Sequence, residues 1–218
     1  METTNSSGFQ ATELTAINTA KIITILCLIS LALIYGINDT RQLIYLCLHI
    51  SYCLWWLLEQ WLFPQRRQQL FTEKVGVITF IFVLLFVGIF YALPGYLAFT
   101  NPNPISYLTI AIALPLYIFG SLINTGADIQ KMVAKSRNSG LVKDGIWRFV
   151  RHVNYLGDLM RYTSFSIVAG QLWAFLVPGI ITLLYLQRIK QKEEAMAEKY
   201  PEFSAYQQNS SRLLPWIW

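Results

Sequence analysis

The sequence predicts an all-α fold, a polytopic bundle of about six transmembrane helices that ends in a helical hairpin. Three observations carry that reading. The 218 residues are 55% hydrophobic and 15% aromatic but only 13% charged, against roughly 25% charged in a soluble domain. The apolar residues fall in runs long enough to cross about 30 Å of hydrocarbon. Lysine and arginine collect in the connections on one side of those runs. A chain of this length has room for one membrane domain and no separate soluble module, so function has to come from the bundle and its loops.

Taken in order, Met1 to Ala20 are rich in Thr, Ser and Asn, with no basic n-region and no small-residue cleavage site. They read as a short tail or surface helix and not as a signal peptide. Ile22 to Ile37 is the first apolar run, closed by the turn-forming Asn38-Asp39-Thr40-Arg41. A second helix spans about Gln42 to Phe63 and stops at Pro64. Gln65 to Lys74 is polar and basic. Val75 to Leu97 is the third span and Ile105 to Ile123 the fourth, with Pro115 inside it as a kink that neighbouring helices tolerate. Asn124 to Asn154 is polar and basic. Tyr155 to Ala169 and Leu172 to Gln187 then form a tight hairpin around Gly170-Gln171, each arm shorter than the roughly 20 residues a full span prefers. The domain organisation expected is a tail over 1–20, four helices over 21–123 and a C-terminal core over 124–218, with no internal repeat.

The net charge of +5 is a topology signal before it is an affinity signal. Arg66, Arg67 and Lys74, then Lys131, Lys135, Arg137, Lys143, Arg148 and Arg151, then Arg188, Lys190, Lys192, Lys199 and Arg212 all fall on one side of six spans, with only Arg41 opposite. The positive-inside rule puts both termini and the long polar segment in the cytoplasm. Membrane lipids are secondary partners of that charge, and nucleic acid is set aside. Cys27, Cys47 and Cys53 lie in apolar stretches and read as small core residues, not as a disulfide framework or metal site.

Ionisable groups near membrane depth are costly and point to function, and here they form two clusters. Asn124, Asp128, Lys131 and Lys135 share a helical face by their i, i+4, i+7, i+11 spacing, as though the fourth span continued into the cytoplasm. A solvated extension with an Asp128–Lys131 pair, worth a few tenths of a kcal/mol, fits the same spacing. Arg148, Arg151, His152, Asn154, Tyr155, Asp158 and Arg161 lie where a loop enters the fifth helix. A plain Asp158–Arg161 salt bridge is the simpler reading of part of it. Two polar faces bracketing a basic loop make a cytoplasmic cleft suited to a phosphate-bearing cofactor. No Gly-rich fingerprint or P-loop is present, so a nucleotide site here is non-Rossmann.

The stretch from Gly140 to Asp158, Gly-Leu-Val-Lys-Asp-Gly-Ile-Trp-Arg-Phe-Val-Arg-His-Val-Asn-Tyr-Leu-Gly-Asp, followed by a helical hairpin, resembles the C-terminal core shared by sterol reductases, steroid 5-alpha-reductases and isoprenylcysteine carboxyl methyltransferases. Glu193-Glu194, Tyr200, Tyr206 and Arg212-Leu-Leu-Pro215 resemble the ending of the same superfamily, so the likeness covers roughly residues 120 to 218. The stripe Asn124, Asp128, Gln130-Lys131 and the form Asn154-Tyr-Leu-Gly-Asp158 are similar to the reductase branch. Val153 departs from the pattern, standing where the superfamily has Pro, which predicts a more loosely fixed loop.

The reductase branch implies NADPH as cofactor and a membrane lipid, steroid-, sterol- or isoprenoid-like, whose double bond is reduced. Lys131, Lys135, Arg148 and Arg151 would take the phosphates; Asn154, Tyr155 and Asp158 the ribose and nicotinamide end. A proton donor is then sought at membrane depth, among His49, Tyr52 and Glu59 on the second span and Tyr91 on the third, a Glu–Tyr pair being the leading form. Tyr52 and Tyr91 as core or interface aromatics, and His49 as a hydrogen bonder, are the plainer alternatives. The methyltransferase branch implies S-adenosylmethionine in the same cleft, with His152 and Tyr155 near the adenosine, and Glu193 or Glu194 and Arg188 on the acceptor side. Neither branch calls for a metal. A non-enzymatic transporter or scaffold would spread polar residues along several spans, unlike this clustering.

Overall fold

The computed structural model describes residues 11–67 and 71–218. The start of the predicted tail, residues 1–10, and residues 68–70 of the basic loop lie outside the described residues. The chain divides into two compact units, Met1–Pro102 and Asn103–Trp218.

The first unit is built on α1 (Glu13–Tyr35), α2 (Thr40–Leu62) and α3 (Val77–Thr100). Helix α1 starts nine residues before Ile22, where the first apolar run begins, because Thr12 is an N-cap whose Oγ1 accepts from Thr15 N at 3.1 Å. The tail reading is corrected accordingly: residues 13–20 belong to the first helix. A two-residue antiparallel pair, β1 (Ala11–Thr12) with β2 (Lys74–Val75), ties that start to the loop before α3. Between α2 and that loop lies one helical turn, Pro64–Arg67. Gln42 opens α2 by accepting from the Asp39 N–H at 3.1 Å.

Helix α3 is not uniform. An α-helical turn over Val77–Val83 widens to a π segment at Leu84–Ile89, tightens to a 3₁₀ turn at Phe90–Ala92 and returns to α-helix at Leu93–Thr100. Changing the hydrogen-bond period strands carbonyl groups. Thr24 of α1 meets two of them: its hydroxyl lies 3.1 Å from both Val87 O and Gly88 O. Gly88 permits the approach, since a Cβ there would sit 3.2–3.3 Å from Ile23 and the Ala20 carbonyl.

The second unit contains α4 (Tyr107–Ser136), α5 (Val153–Ala169), α6 (Leu172–Lys199) and the short α7 (Phe203–Gln208). Helix α4 continues through Pro115 and past Ile123 for 30 residues, so the stripe from Asn124 to Lys135 is carried on a helix as expected. Helices α4 and α5 cross with almost no side chain between them: a Cβ on Gly120 would lie 2.7 Å from Gly157 O, and one on Gly157 would lie 2.6 Å from Gly120 O. Gly170, at φ +67°, turns the chain between α5 and α6, and Ser166 Oγ donates to Ala174 O at 2.8 Å across the turn. The second hairpin arm runs longer than its apolar part, to Lys199.

Four helices, Glu13–Tyr35, Val77–Thr100, Tyr107–Ser136 and Leu172–Lys199, are long and apolar enough to cross a membrane. Helix α2 has the length, 23 residues, but carries Arg41, Gln42, His49 and Glu59; α5 has 17 residues. Of the three cysteines, Cys53 is buried, Cys27 half-buried and Cys47 exposed, so Cys47 is not a core residue.

Candidate functional site

The C-terminal unit gathers charge onto one face. Asp128, Lys131 and Lys135 on α4 and Arg188 and Lys192 on α6 are electrostatic neighbours, and Tyr155 and Asp158 on α5 share their field. Helical periodicity explains the grouping: 128, 131 and 135 lie on one face of α4, and 188 and 192 one turn apart on α6. Four cations thus converge around Asp128 and Asp158, and Asp158 is already engaged by Arg161 and by the Tyr185 hydroxyl at 3.0 Å. Mutual repulsion of that kind is relieved by an anionic ligand.

Flat surfaces lie beside the cations. His152, Tyr155 and Tyr185 form a stack, with centroids 5.8 Å apart for the first pair and 4.2 Å for the second and interplanar angles of 14° and 10°. Lys192 Nζ sits 4.8 Å from the Tyr155 ring centre, and Lys131 Nζ 5.3 Å from that of Trp147. Trp147 is itself fixed, its indole N–H donating to Ala127 O at 3.2 Å. Gln130 holds the loop beneath: its Nε2 donates to Asp144 O at 2.7 Å and its Oε1 accepts from Ile146 N at 3.2 Å. Gly145, at φ +60°, packs against the same amide.

Other candidates from the sequence serve the frame. Asn124 Nδ2 donates to the Asn154 carbonyl at 3.0 Å, locking α4 to the first turn of α5. Arg148 is exposed, its guanidinium 5.5 Å from the Phe149 ring. Arg151 is buried and directed into the protein. Its Nε meets Glu193 Oε1 at 2.9 Å, and its Nη1 reaches the Gln207 carbonyl at 3.1 Å as well as the Ser210 carbonyl. His152 Nε2 lies 3.3 Å from the same Glu193 oxygen, and Arg212 Nε 3.1 Å from the other. Burial, with Lys192 and Arg151 nearby, holds the His152 imidazole below its ordinary pKa against the opposing pull of Glu193. Tyr206, whose hydroxyl donates to Trp147 O, is pushed up to about 12 by burial and by Asp144, so it remains a donor.

The C-terminal tail completes the frame. Arg151 N donates to Ser211 O at 2.9 Å, His152 N to Arg212 O at 3.1 Å and Ser211 N to Phe149 O at 2.8 Å. The loop that Val153 was expected to loosen is therefore pinned by backbone pairing, and Val153 itself is buried at the start of α5.

The four proton-donor candidates, His49, Tyr52, Glu59 and Tyr91, all lie in the N-terminal unit. Glu59 is ion-paired with Arg66. Tyr45 Oη and His49 Nδ1 are 2.9 Å apart, and the His49 and Tyr52 rings 6.1 Å apart. Tyr52 accepts a hydrogen bond from Lys21, whose ammonium also faces the Tyr91 ring. Tyr52 and Tyr91 thus share the Lys21 ammonium. Hydropathy alone begins the first run at Ile22 and leaves Lys21 outside it; the N-cap Thr12 is the signal that includes it. Lys192 reads as a topology charge by position, while its i, i+4 spacing from Arg188 marks a shared face.

Comparisons with known proteins bear on the family of the chain. A family profile described as "Protein of unknown function (DUF1295)" matches residues 9–210. The Delta(14)-sterol reductase of Arabidopsis thaliana is 27% identical over 159 residues, 66% of this chain and 42% of that protein. The Delta(14)-sterol reductase LBR of Gallus gallus is 28% identical over 103 residues, 40% of this chain and 16% of that protein. The chain spans less than half the length of either relative.

Proposed function

Because the chain belongs to the DUF1295 family and to the superfamily of sterol reductase-like integral membrane enzymes, we propose that it reduces a carbon–carbon double bond of a sterol-like or isoprenoid lipid with NADPH. The observation that carries the cofactor assignment is the convergence of Lys131, Lys135, Arg188 and Lys192 beside the His152–Tyr155–Tyr185 stack. Surplus positive charge next to stacked aromatic faces fits a ligand that is polyanionic at one part and planar at another. In this reading the four cations take phosphate oxygens and Asp128 accepts from ribose hydroxyls, while the buried Tyr155 and Trp147 rings hold Lys192 and Lys131 in place. NADPH, when bound, supplies the hydride.

The protein's own contribution is order. Glu193 gathers Arg151, His152 and Arg212. Asn124 and Gln130 fix the entry of α5 and the loop before it, so the aromatic stack stands rigid before any ligand arrives, which lowers the cost of binding. This assigns Arg151, His152, Asn124 and Asn154 to positioning and leaves Arg148 at the rim.

The test is equilibrium binding of radiolabelled NADPH and of S-adenosylmethionine, each alone, to detergent-purified protein. Saturable NADPH binding is expected, weakened about tenfold or more by Lys131→Ala or Lys192→Ala, as loss of a charge-assisted hydrogen bond predicts. Purified protein with NADPH and a Δ14-sterol is then expected to yield the reduced lipid. Saturable S-adenosylmethionine binding without NADPH binding overturns the reading in favour of methyl transfer to a lipid acceptor.

A further inference from the structure

The tail of the C-terminal unit closes into a hydrogen-bonded loop over Leu213–Trp218. Leu213 N and Leu214 N both donate to Trp218 O, at 2.8 and 2.9 Å, Trp218 N donates to Leu214 O at 3.1 Å, and Trp216 N donates to Ser211 Oγ at 2.9 Å. Trp216 is held at φ +60°, a backbone conformation that bulky side chains rarely adopt. What this ordered loop presents is apolar. Trp216 is 89% exposed and Ile217 81%, and Leu214, Trp218 and Phe149 of the segment paired with Ser211 are exposed beside them. A contiguous apolar patch of this kind marks a surface that meets another apolar phase. Its level is fixed from within the unit. Ser211 and Arg212 pair with Arg151 and His152 just before α5, and Asn124 joins Asn154 there, where α4 leaves its apolar run for its polar stripe. That is the level of a membrane–water interface, where tryptophan concentrates.

A cavity of about 390 Å³ adjoins the loop, with Arg151, Ser210, Ser211, Arg212, Trp216 and Trp218 in its lining. Arg212 meets Glu193 through Nε and lies 5.0 Å from the Trp218 ring centre; among the described residues its Nη1 and Nη2 donate to no partner. Arg151 uses Nε and Nη1 and likewise leaves Nη2 without a hydrogen bond. Two guanidinium groups against the one carboxylate of Glu193 leave positive charge in surplus. We propose that this cavity seats the phosphodiester of an anionic phospholipid, with the acyl chains lying along Trp216, Ile217 and Phe149. The unused guanidinium N–H groups meet the phosphate oxygens, the geometry that arginine matches best. An anionic headgroup supplies the negative charge that the cluster lacks, whereas the cation of a zwitterionic headgroup is repelled by it. Because Arg151 and Arg212 share Glu193 with His152, a lipid held there ties the junction at the start of α5 to the bilayer.

The test uses the full chain in phosphatidylcholine nanodiscs without NADPH, so its result is independent of the reductase reading. The fluorescence of Trp216 is the difference between wild type and Trp216→Phe. It is followed as phosphatidylglycerol or phosphatidylcholine, each brominated on the acyl chains near the headgroup, is added to quench any indole in contact with it. Quenching by both lipids is expected, with a preference of about fivefold for phosphatidylglycerol, the attraction of roughly one basic residue to an anionic lipid. Arg212→Gln is expected to remove the preference, and Arg148→Gln, which takes away an exposed charge outside the cavity, to keep it. The comparison of the two lipids on wild type stands by itself if Arg212→Gln loosens the Glu193 junction. Trp216 fluorescence untouched by either lipid, or quenched equally by both, would overturn the proposal. So would a preference lost as fully in Arg148→Gln, which would trace it to surface charge at large. Excess inorganic phosphate at matched ionic strength is expected to leave the preference in place; its loss would mark a site for free phosphate and not for lipid.

Discussion

Arg151, His152 and Arg212 meet at the buried carboxylate of Glu193, and this junction is where the tail, α5 and α6 are joined. Removing the negative charge leaves the Arg151 guanidinium buried without its counter-ion, and breaking a buried pair from one side costs about 3–5 kcal/mol. Glu193→Gln is expected to lower the melting temperature by that measure and to expose residues 209–218 to protease. A second consequence concerns pH. The folded protein holds His152 below its ordinary pKa, mainly by burial, so the unfolded chain binds a proton there more readily. Stability from this group is present above its unfolded value near 6.5 and is lost as pH falls through and below it. The difference in melting temperature between wild type and His152→Gln is expected to shrink from pH 8 to pH 5.5; a constant difference would show that the proton does not couple to folding. At this scale the sequence named the polar residues but not their duties. Arg151 and Lys131 look alike as letters, yet one is turned into the tail carbonyls and the other faces the Trp147 ring. That distinction depends on where the tail returns, which no local spacing encodes.

Helix crossings decide which element carries the site. Gly120 and Gly157 let α4 and α5 touch backbone to backbone, the close approach that small residues permit in membranes, and Asn124 then reaches Asn154. Gly157→Ala would place a methyl group 2.6 Å from a carbonyl oxygen that cannot move aside alone. A cost of about 1–3 kcal/mol is expected from such overpacking, read as a lower melting temperature together with weaker NADPH binding, since the stripe on α4 would move relative to the aromatic stack. Loss of stability with unchanged affinity would separate the crossing from the site. The continuation of α4 into its polar stripe and the Gly170-Gln171 hairpin were legible because periodicity and turn chemistry are local. The π segment of α3 was not: it depends on Thr24 of another helix meeting the carbonyls of Val87 and Gly88, a tertiary condition.

For the whole molecule, α2 and α5 decide how many helices cross beyond the four that are long and apolar enough. Helix α2, at 23 residues, is about 34 Å long and α5, at 17 residues, about 25 Å, from 1.5 Å per residue, against about 30 Å of hydrocarbon. Their polar residues are accommodated inside the protein: Arg41, His49 and Glu59 on α2 and Arg161 on α5 are all buried. Each helix can therefore cross with its polar face inward, α5 with local thinning of the bilayer. If α2 crosses, the turn at Asn38 and the loop at Glu73 lie on opposite faces; if it lies on the surface, they share one. Both residues are exposed. The measurement is labelling by a membrane-impermeant maleimide of Asn38→Cys and Glu73→Cys in a background lacking Cys27, Cys47 and Cys53, with Lys143→Cys reporting the loop between α4 and α5. Asn38→Cys is expected to react from outside intact cells, and Glu73→Cys and Lys143→Cys only after the membrane is opened. That pattern places the basic loops and the cation cluster on the cytoplasmic side, where NADPH is available, whereas equal labelling at 38 and 73 would remove α2 from the set of spans and reverse the side assigned to one of the two loops.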